Sequence, residues 1–171
     1  VLLIAPFYSN YKLALDLYNI EIHEVTTHIE DNYAIPSVEE MKKSVKENTK
    51  AILLANPGNP TGRVYTQEEV DRIAQLAKER DLIIIADEVY REFNYTDRAF
   101  VSFGDIRELE EHVILIDSAS KKYSACGSRI GTVATKNKEI SGAIMKLCQK
   151  RLSAPTVDMY AIAALINLED D

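Results

Sequence analysis

The chain has 171 residues, 46% of them hydrophobic, and a formal net charge of −7 from 20 Lys and Arg against 27 Asp and Glu. That length buries roughly 70% of the unfolded surface, so one domain with a real core is expected. Acids are interspersed with the bases, unlike the clustered cations that bind a nucleic-acid backbone, and every apolar run falls far short of the ~20 residues of a membrane-spanning helix. The expectation is a soluble, cytoplasmic protein that acts on small molecules, with neither nucleic acid nor membrane as partner.

Six short apolar runs, at residues 1–5, 21–26, 51–55, 82–87, 112–117 and 130–135, predict strands. Amphipathic segments separate them, and this alternation predicts an α/β fold: a three-layer sandwich around a mostly parallel sheet. Several runs are continuous Val, Ile and Leu, as in strands covered on both faces. The first run begins as a buried strand with no initiating Met, and the chain ends at Asp170-Asp171 directly after an apolar helical pattern, so it reads as a segment of something longer.

In open α/β sheets ligands bind beyond the carboxyl ends of the strands, so the residues following each run bear most on function. After the first run comes Pro6-Phe7-Tyr8, whose aromatic ring is either core packing or a wall at that edge. Ser37-Val38-Glu39-Glu40 then fits a capping box, in which hydroxyl and carboxylate satisfy free amide groups reciprocally. After the third run, Asn56-Pro57-Gly58-Asn59-Pro60-Thr61-Gly62 is a stiff turn; it is either a plain strand-to-helix loop or a fixed mount for the Asn59 amide. Thr66-Gln67-Glu68-Glu69 is a second capping box, opening a helix with Val70, Ile73, Ala74 and Ala77 on one face and Glu68 and Arg72 on the other.

The fourth run ends in Asp87, followed by Glu88, Val89 and Tyr90. An acid ending an apolar strand either caps a helix or implies a cationic partner. Glu108, Glu110 and Glu111 predict a solvated helix face. Beyond the fifth run lies Ser118-Ala119-Ser120-Lys121-Lys122-Tyr123, leading to Arg129; hydroxyls, a lysine and an arginine this close fit a phosphate site beside an amine nucleophile, or a solvated basic loop. Residues 138–168 predict two helices interrupted near Ser153-Ala154-Pro155. Cys126 and Cys148 have no metal-ligand spacing with His23, His28 or His112, so free thiols and no metal are expected. No Gly-x-Gly-x-x-Gly fingerprint or Gly-Lys-Ser/Thr loop supports a nucleotide site.

Together these places resemble the class I and II aminotransferases of fold type I. Ser118-Ala119-Ser120-Lys121-x-x-Ser124-Ala125-x-Gly127-x-Arg129-Ile130-Gly131 fits that family's lysine-site pattern at every defined position, and Asn59-Pro60-Thr61-Gly62 and Asp87-x-x-Tyr90 precede it in the family's order. The resemblance implies pyridoxal 5'-phosphate as cofactor. Lys121 would carry it as a Schiff base and later shuttle the proton of the substrate α-carbon, while Asp87 would keep the ring nitrogen protonated. Asn59 and Tyr90 would bond the phenolic oxygen, Ser118, Ser120 and Arg129 the phosphate, and Tyr8 would stack on the ring. Lys122 is the rival nucleophile, disfavoured by the spacing to Arg129.

The resemblance also implies α-amino-acid and 2-oxo-acid substrates, with some likeness to aspartate and broad-range members, and a homodimer at full length. Residues 1–171 would be part of the cofactor-binding large domain, with the glycine-rich phosphate turn, the N-terminal arm and the small domain bearing the α-carboxylate arginine outside it. A carbon–sulfur lyase on the same scaffold, or a sensor domain fused to a DNA-binding module, are the alternative readings.

Overall fold

Each of the six apolar runs forms a strand in the computed structural model, which describes residues 1–165. Strands β1 (Leu2–Ala5), β2 (His23–Thr26), β3 (Ala51–Ala55), β4 (Ile83–Asp87), β5 (Val113–Ser118) and β6 (Gly131–Thr135) join one sheet in the order β2-β1-β3-β4-β5-β6. The first five are parallel; β6 returns antiparallel to β5. Helices α1 (Ser9–Asp16), α2 (Val38–Lys42), α3 (Gln67–Arg80), α4 (Ala119–Lys122), α5 (Lys138–Lys150) and α6 (Thr156–Leu165) lie between or after the strands. The predicted α/β class is the class observed.

Period-2 alternation puts Leu2, Ile4, Ile52, Leu54, Ile84, Ala86 and Val113 in one core cluster with Met41 of α2 and Val70, Ile73, Leu76 and Ala77 of α3. Burying each large side chain is worth about 1.5–3 kcal/mol, which is what seats the two helices. Both capping boxes form, Ser37 with Glu40 and Thr66 with Glu69. On the outer side of α3, Glu68 and Arg72 pair at 2.5 Å.

Coverage on both faces holds for the centre of the sheet and fails towards its edge. All five residues of β3 are buried, β4 alternates buried with half-buried, and four of five in β6 are exposed. Helices α1, α5 and α6 bury no residue, so among the described residues they contribute little cover. The tail follows its pattern, α5 and α6 flanking a break at residues 151–155; positions 166–168 of the expected second helix lie outside the described residues. Glu108 lies in a 3-10 turn, Arg107–Leu109, instead of on a helix face, and pairs in solvent with Lys78. Both cysteines are free and exposed, and among the described residues no cluster could hold a metal and no helix is long and apolar enough to cross a membrane.

Strand β1 has β2 on one side and β3 on the other, so the chain reverses direction across the sheet at that point. Such a reversal opens a crevice at the carboxyl ends of the strands, where the motif residues sit.

Candidate cofactor site

A pocket of about 350 Å³ opens at this edge. Its walls include all eight residues singled out in the sequence: Tyr8, Asn59, Asp87, Tyr90, Ser118, Ser120, Lys121 and Arg129. Tyr11, Ala55, Val89 and Cys126 complete it, and none of these four was marked in advance.

The wall after β3 is fixed by Asn56, which is fully buried. Its side chain donates to the Val101 carbonyl at 3.0 Å and accepts from the Tyr65 amide at 3.0 Å, and its own amide donates to the Asp87 carbonyl at 2.9 Å. The turn folds tightly enough that a Cβ on Gly58 would stand 2.5 Å from Thr61 Oγ1, and Gly62 takes a positive φ of 69° that other residues adopt only at a cost. Arg63 closes the turn by accepting the Gly58 amide and is held in turn by Glu69 at 2.7 Å. Asn59 is thereby set at the pocket wall on a frame with little freedom.

Asp87 ends β4 half-buried. It caps no helix; within the protein Tyr11 Oη donates to its Oδ2 at 2.6 Å, and the Val89 amide to Oδ1 at 3.3 Å. Burial, followed by the charge of Asp87, pushes the Tyr11 phenol far above its ordinary range, so it stays a donor. The acid that is buried outright is Glu88, at 1% exposure. It accepts from the Ser102 hydroxyl at 2.8 Å and the Phe103 amide at 2.8 Å, and burial pushes its carboxyl up in spite of them.

Beyond β5, Ser118 caps α4 by accepting the Ser120 amide at 3.3 Å. The Lys121 ammonium lies 5.5 Å from the centre of the Tyr90 ring, within the range of a cation–π contact. Lys122 is absent from the pocket wall and pairs with Glu92 at 2.9 Å. Ser124 and Arg129 both take left-handed backbone angles, φ 51° and 56°, at roughly 1–2 kcal/mol each. Arg129 donates one guanidinium nitrogen to the Cys126 carbonyl at 2.8 Å. Opposite, the Tyr8 hydroxyl accepts from Asn10 at 2.7 Å and its ring meets Tyr11 edge-on at 5.5 Å.

An amine, a carboxylate, a guanidinium, hydroxyls and aromatic rings thus face one cavity from the ends of β1, β3, β4 and β5. The family model of the aminotransferases of class I and II matches residues 1–171. This chain belongs to that family. Among class I and II aminotransferases it is 35% identical over 172 residues to one named aspartate aminotransferase from Thermotoga maritima, covering 100% of this chain and 44% of the relative. An aromatic aminotransferase from Pyrococcus horikoshii superposes with a TM-score of 0.90 at 32% identity, over 98% of this chain and 45% of that one. An N-succinyldiaminopimelate aminotransferase from Mycobacterium tuberculosis gives 0.90 at 25% identity, over 99% and 44%. The chain therefore spans less than half the length of these aminotransferases.

Proposed function

We propose that this chain forms the cofactor-binding part of a pyridoxal-phosphate-dependent aminotransferase, which exchanges the amino group of an α-amino acid with a 2-oxo acid. The observation that carries the reading is the convergence of eight residues, chosen from four separate strand ends, on one pocket holding a single lysine. The pocket falls in the volume range of small-molecule sites, roughly 300–1,000 Å³. Its donor set suits a flat, anionic pyridine aldehyde: Lys121 for the aldehyde carbon, Asp87 for the ring nitrogen, Arg129 for the phosphate.

When bound, the cofactor supplies an aldehyde that condenses with amines and a cationic ring that accepts an electron pair from the substrate α-carbon. The residues do the rest. Asp87 holds the proton on the ring nitrogen, and Asn59 and Tyr90 bond the phenolic oxygen. Ser118, Ser120 and Arg129 anchor the phosphate with charge-assisted bonds. Tyr8 would wall the side of the pocket offered to the ring, and the Lys121 amine would take and return the proton of the substrate α-carbon. In this reading residues 1–171 belong to the large domain, with the N-terminal arm and small domain outside it, in a cytoplasmic homodimer. The likeness to an aspartate aminotransferase from Thermotoga maritima supports aspartate as the donor, and 2-oxoglutarate is the acceptor proposed with it.

The test is to incubate the natural full-length protein with pyridoxal phosphate and aspartate, with and without 2-oxoglutarate, and in parallel with cystathionine. Glutamate formed only when 2-oxoglutarate is present is the expected result. Pyruvate released from cystathionine without any acceptor would replace the transferase by the lyase.

A further inference from the structure

The pocket contains a contact that the roles above do not use. Tyr11 sits in the first turn of α1, three residues beyond Tyr8, so both rings fall on the same side of the helix. Its hydroxyl reaches Asp87 across 76 residues of sequence, at 2.6 Å. Without it the carboxylate keeps, among the described residues, one weaker hydrogen bond, the Val89 amide at 3.3 Å, and that bond engages the other oxygen. A carboxylate on a single long bond can turn about its terminal torsion, which is broad and shallow. Two donors, one on each oxygen, fix its plane and leave a lone pair on each free for a further donor. The Tyr11 ring is itself held, edge-on to Tyr8, and it lines a second small cavity behind the pocket together with Asn59, Arg63 and Tyr65.

We infer that Tyr11 is a positioning residue of this site, whose hydroxyl orients the Asp87 carboxylate towards the nitrogen of a bound pyridine ring. The inference rests on the cofactor reading above. Tyr11 acts through Asp87, so its contribution vanishes when either the carboxylate or the ring nitrogen is removed. A residue that merely fills space between α1 and the sheet makes no such distinction.

The experiment is a double-mutant cycle on the natural full-length protein, read by equilibrium dialysis of the cofactor rather than by turnover. Four proteins are compared: unchanged, Tyr11→Phe, Asp87→Ala and the double variant. Each is measured with pyridoxal phosphate and with its 1-deaza analogue, in which carbon replaces the ring nitrogen. Tyr11→Phe is expected to weaken pyridoxal phosphate binding about tenfold to a hundredfold, the range for a hydrogen bond to a charged group. In the Asp87→Ala background, or with the deaza analogue, the same substitution should change affinity less than about twofold. Retained binding of the analogue shows that the variant is folded; if Tyr11→Phe does not fold, Tyr11→Gln is measured the same way. Failure of the unchanged protein to bind pyridoxal phosphate overturns the cofactor reading itself. Normal binding by Tyr11→Phe, or an equal loss in both backgrounds and with both cofactors, overturns the role of Tyr11 while leaving that reading intact.

Discussion

Glu69→Ala is the substitution whose cost the structure sets out most fully. Glu69 is 3% exposed, at the third position of α3. One carboxylate oxygen accepts the Ile35 amide at 2.9 Å and an Arg63 guanidinium nitrogen at 2.7 Å; the other accepts the Thr66 amide at 2.9 Å. Removing it strands the Ile35 amide in the core, at about 1–3 kcal/mol, and halves the capping box, at about 1 kcal/mol. It also leaves the Arg63 guanidinium, 14% exposed, without its counter-charge. These effects share one carboxylate and do not add, so the whole loss is expected at about 3–5 kcal/mol, as for breaking a buried ion pair. Glu68→Ala, which removes the exposed partner of Arg72, should cost about 0.3–0.5 kcal/mol. Urea unfolding followed by circular dichroism on the natural protein measures both. Burial pushes the Glu69 carboxyl up, but the Thr66 and Ile35 amides and Arg63 outweigh it, and the group ends below its ordinary range. A depressed carboxyl stabilises fully above the unfolded value of about 4.3 and loses that contribution as pH falls through the folded value. The gap between wild type and Glu69→Ala should therefore narrow as the pH is taken below about 4. A loss under about 1 kcal/mol, or one no larger than that of Glu68→Ala, would refute this account of the turn.

Lys121→Ala should abolish borohydride-trapped cofactor in the full-length protein, and peptide mapping of the wild type should find the label on Lys121; a label on Lys122 would overturn the assignment. Glu88, its carboxyl raised by burial, should make stability decline as pH rises from the unfolded value through the folded one, because the folded state there binds the extra proton. Glu88→Gln should remove that decline and cost less than about 1 kcal/mol at neutral pH, against about 1–3 kcal/mol for Glu88→Ala, as judged by urea titrations at several pH values. The 171-residue chain by itself should form no glutamate from aspartate and 2-oxoglutarate. Among the described residues Lys121 and Arg129 are the two cations at the pocket, which leaves none to grip a substrate α-carboxylate. Loss of that orientation removes up to ~7–11 kcal/mol of rate assistance. Turnover near that of the full-length protein would show the carboxylate is held elsewhere.

The strands were legible because β3, β4 and β5 carry unbroken Val, Ile and Leu, and the helix starts because hydroxyl and carboxylate stand three residues apart at Ser37 and Thr66. The site was legible because its residues follow strand ends, and the sheet brings strand ends together whatever the loops between them do. What the sequence could not carry was pairing across distance. Tyr11 differs from any other helical tyrosine only by meeting Asp87, and its one local signal was the three-residue spacing from Tyr8. Of the two adjacent acids, Asp87 drew the expectation of a buried charge, while Glu88 is the one sealed in. Glu88 continues the inward alternation of Ile84 and Ala86, and its donors, Ser102 and the Phe103 amide, come from a 3-10 turn further along the chain, ahead of β5.

The order of strands in the sheet bears on how the protein comes to exist as it leaves the ribosome. From β3 onwards each newly made strand joins at the same growing margin: β4 on β3, β5 on β4, β6 on β5. A chain synthesised from its N-terminus can lay down this sheet without waiting for a later segment to be threaded between two earlier ones. Tyr8, Asn59 and Asp87 are in place once four strands have formed, whereas Lys121 and Arg129 arrive with the last two. In the proposed reading, a nascent chain thus passes through a stage that presents Tyr8, Asn59 and Asp87 before the Lys121 amine has been made. On the proposed cofactor reading, covalent capture marks the arrival of Lys121, and a ribosome-bound series of increasing length should begin to retain cofactor only after β5 and α4 have emerged.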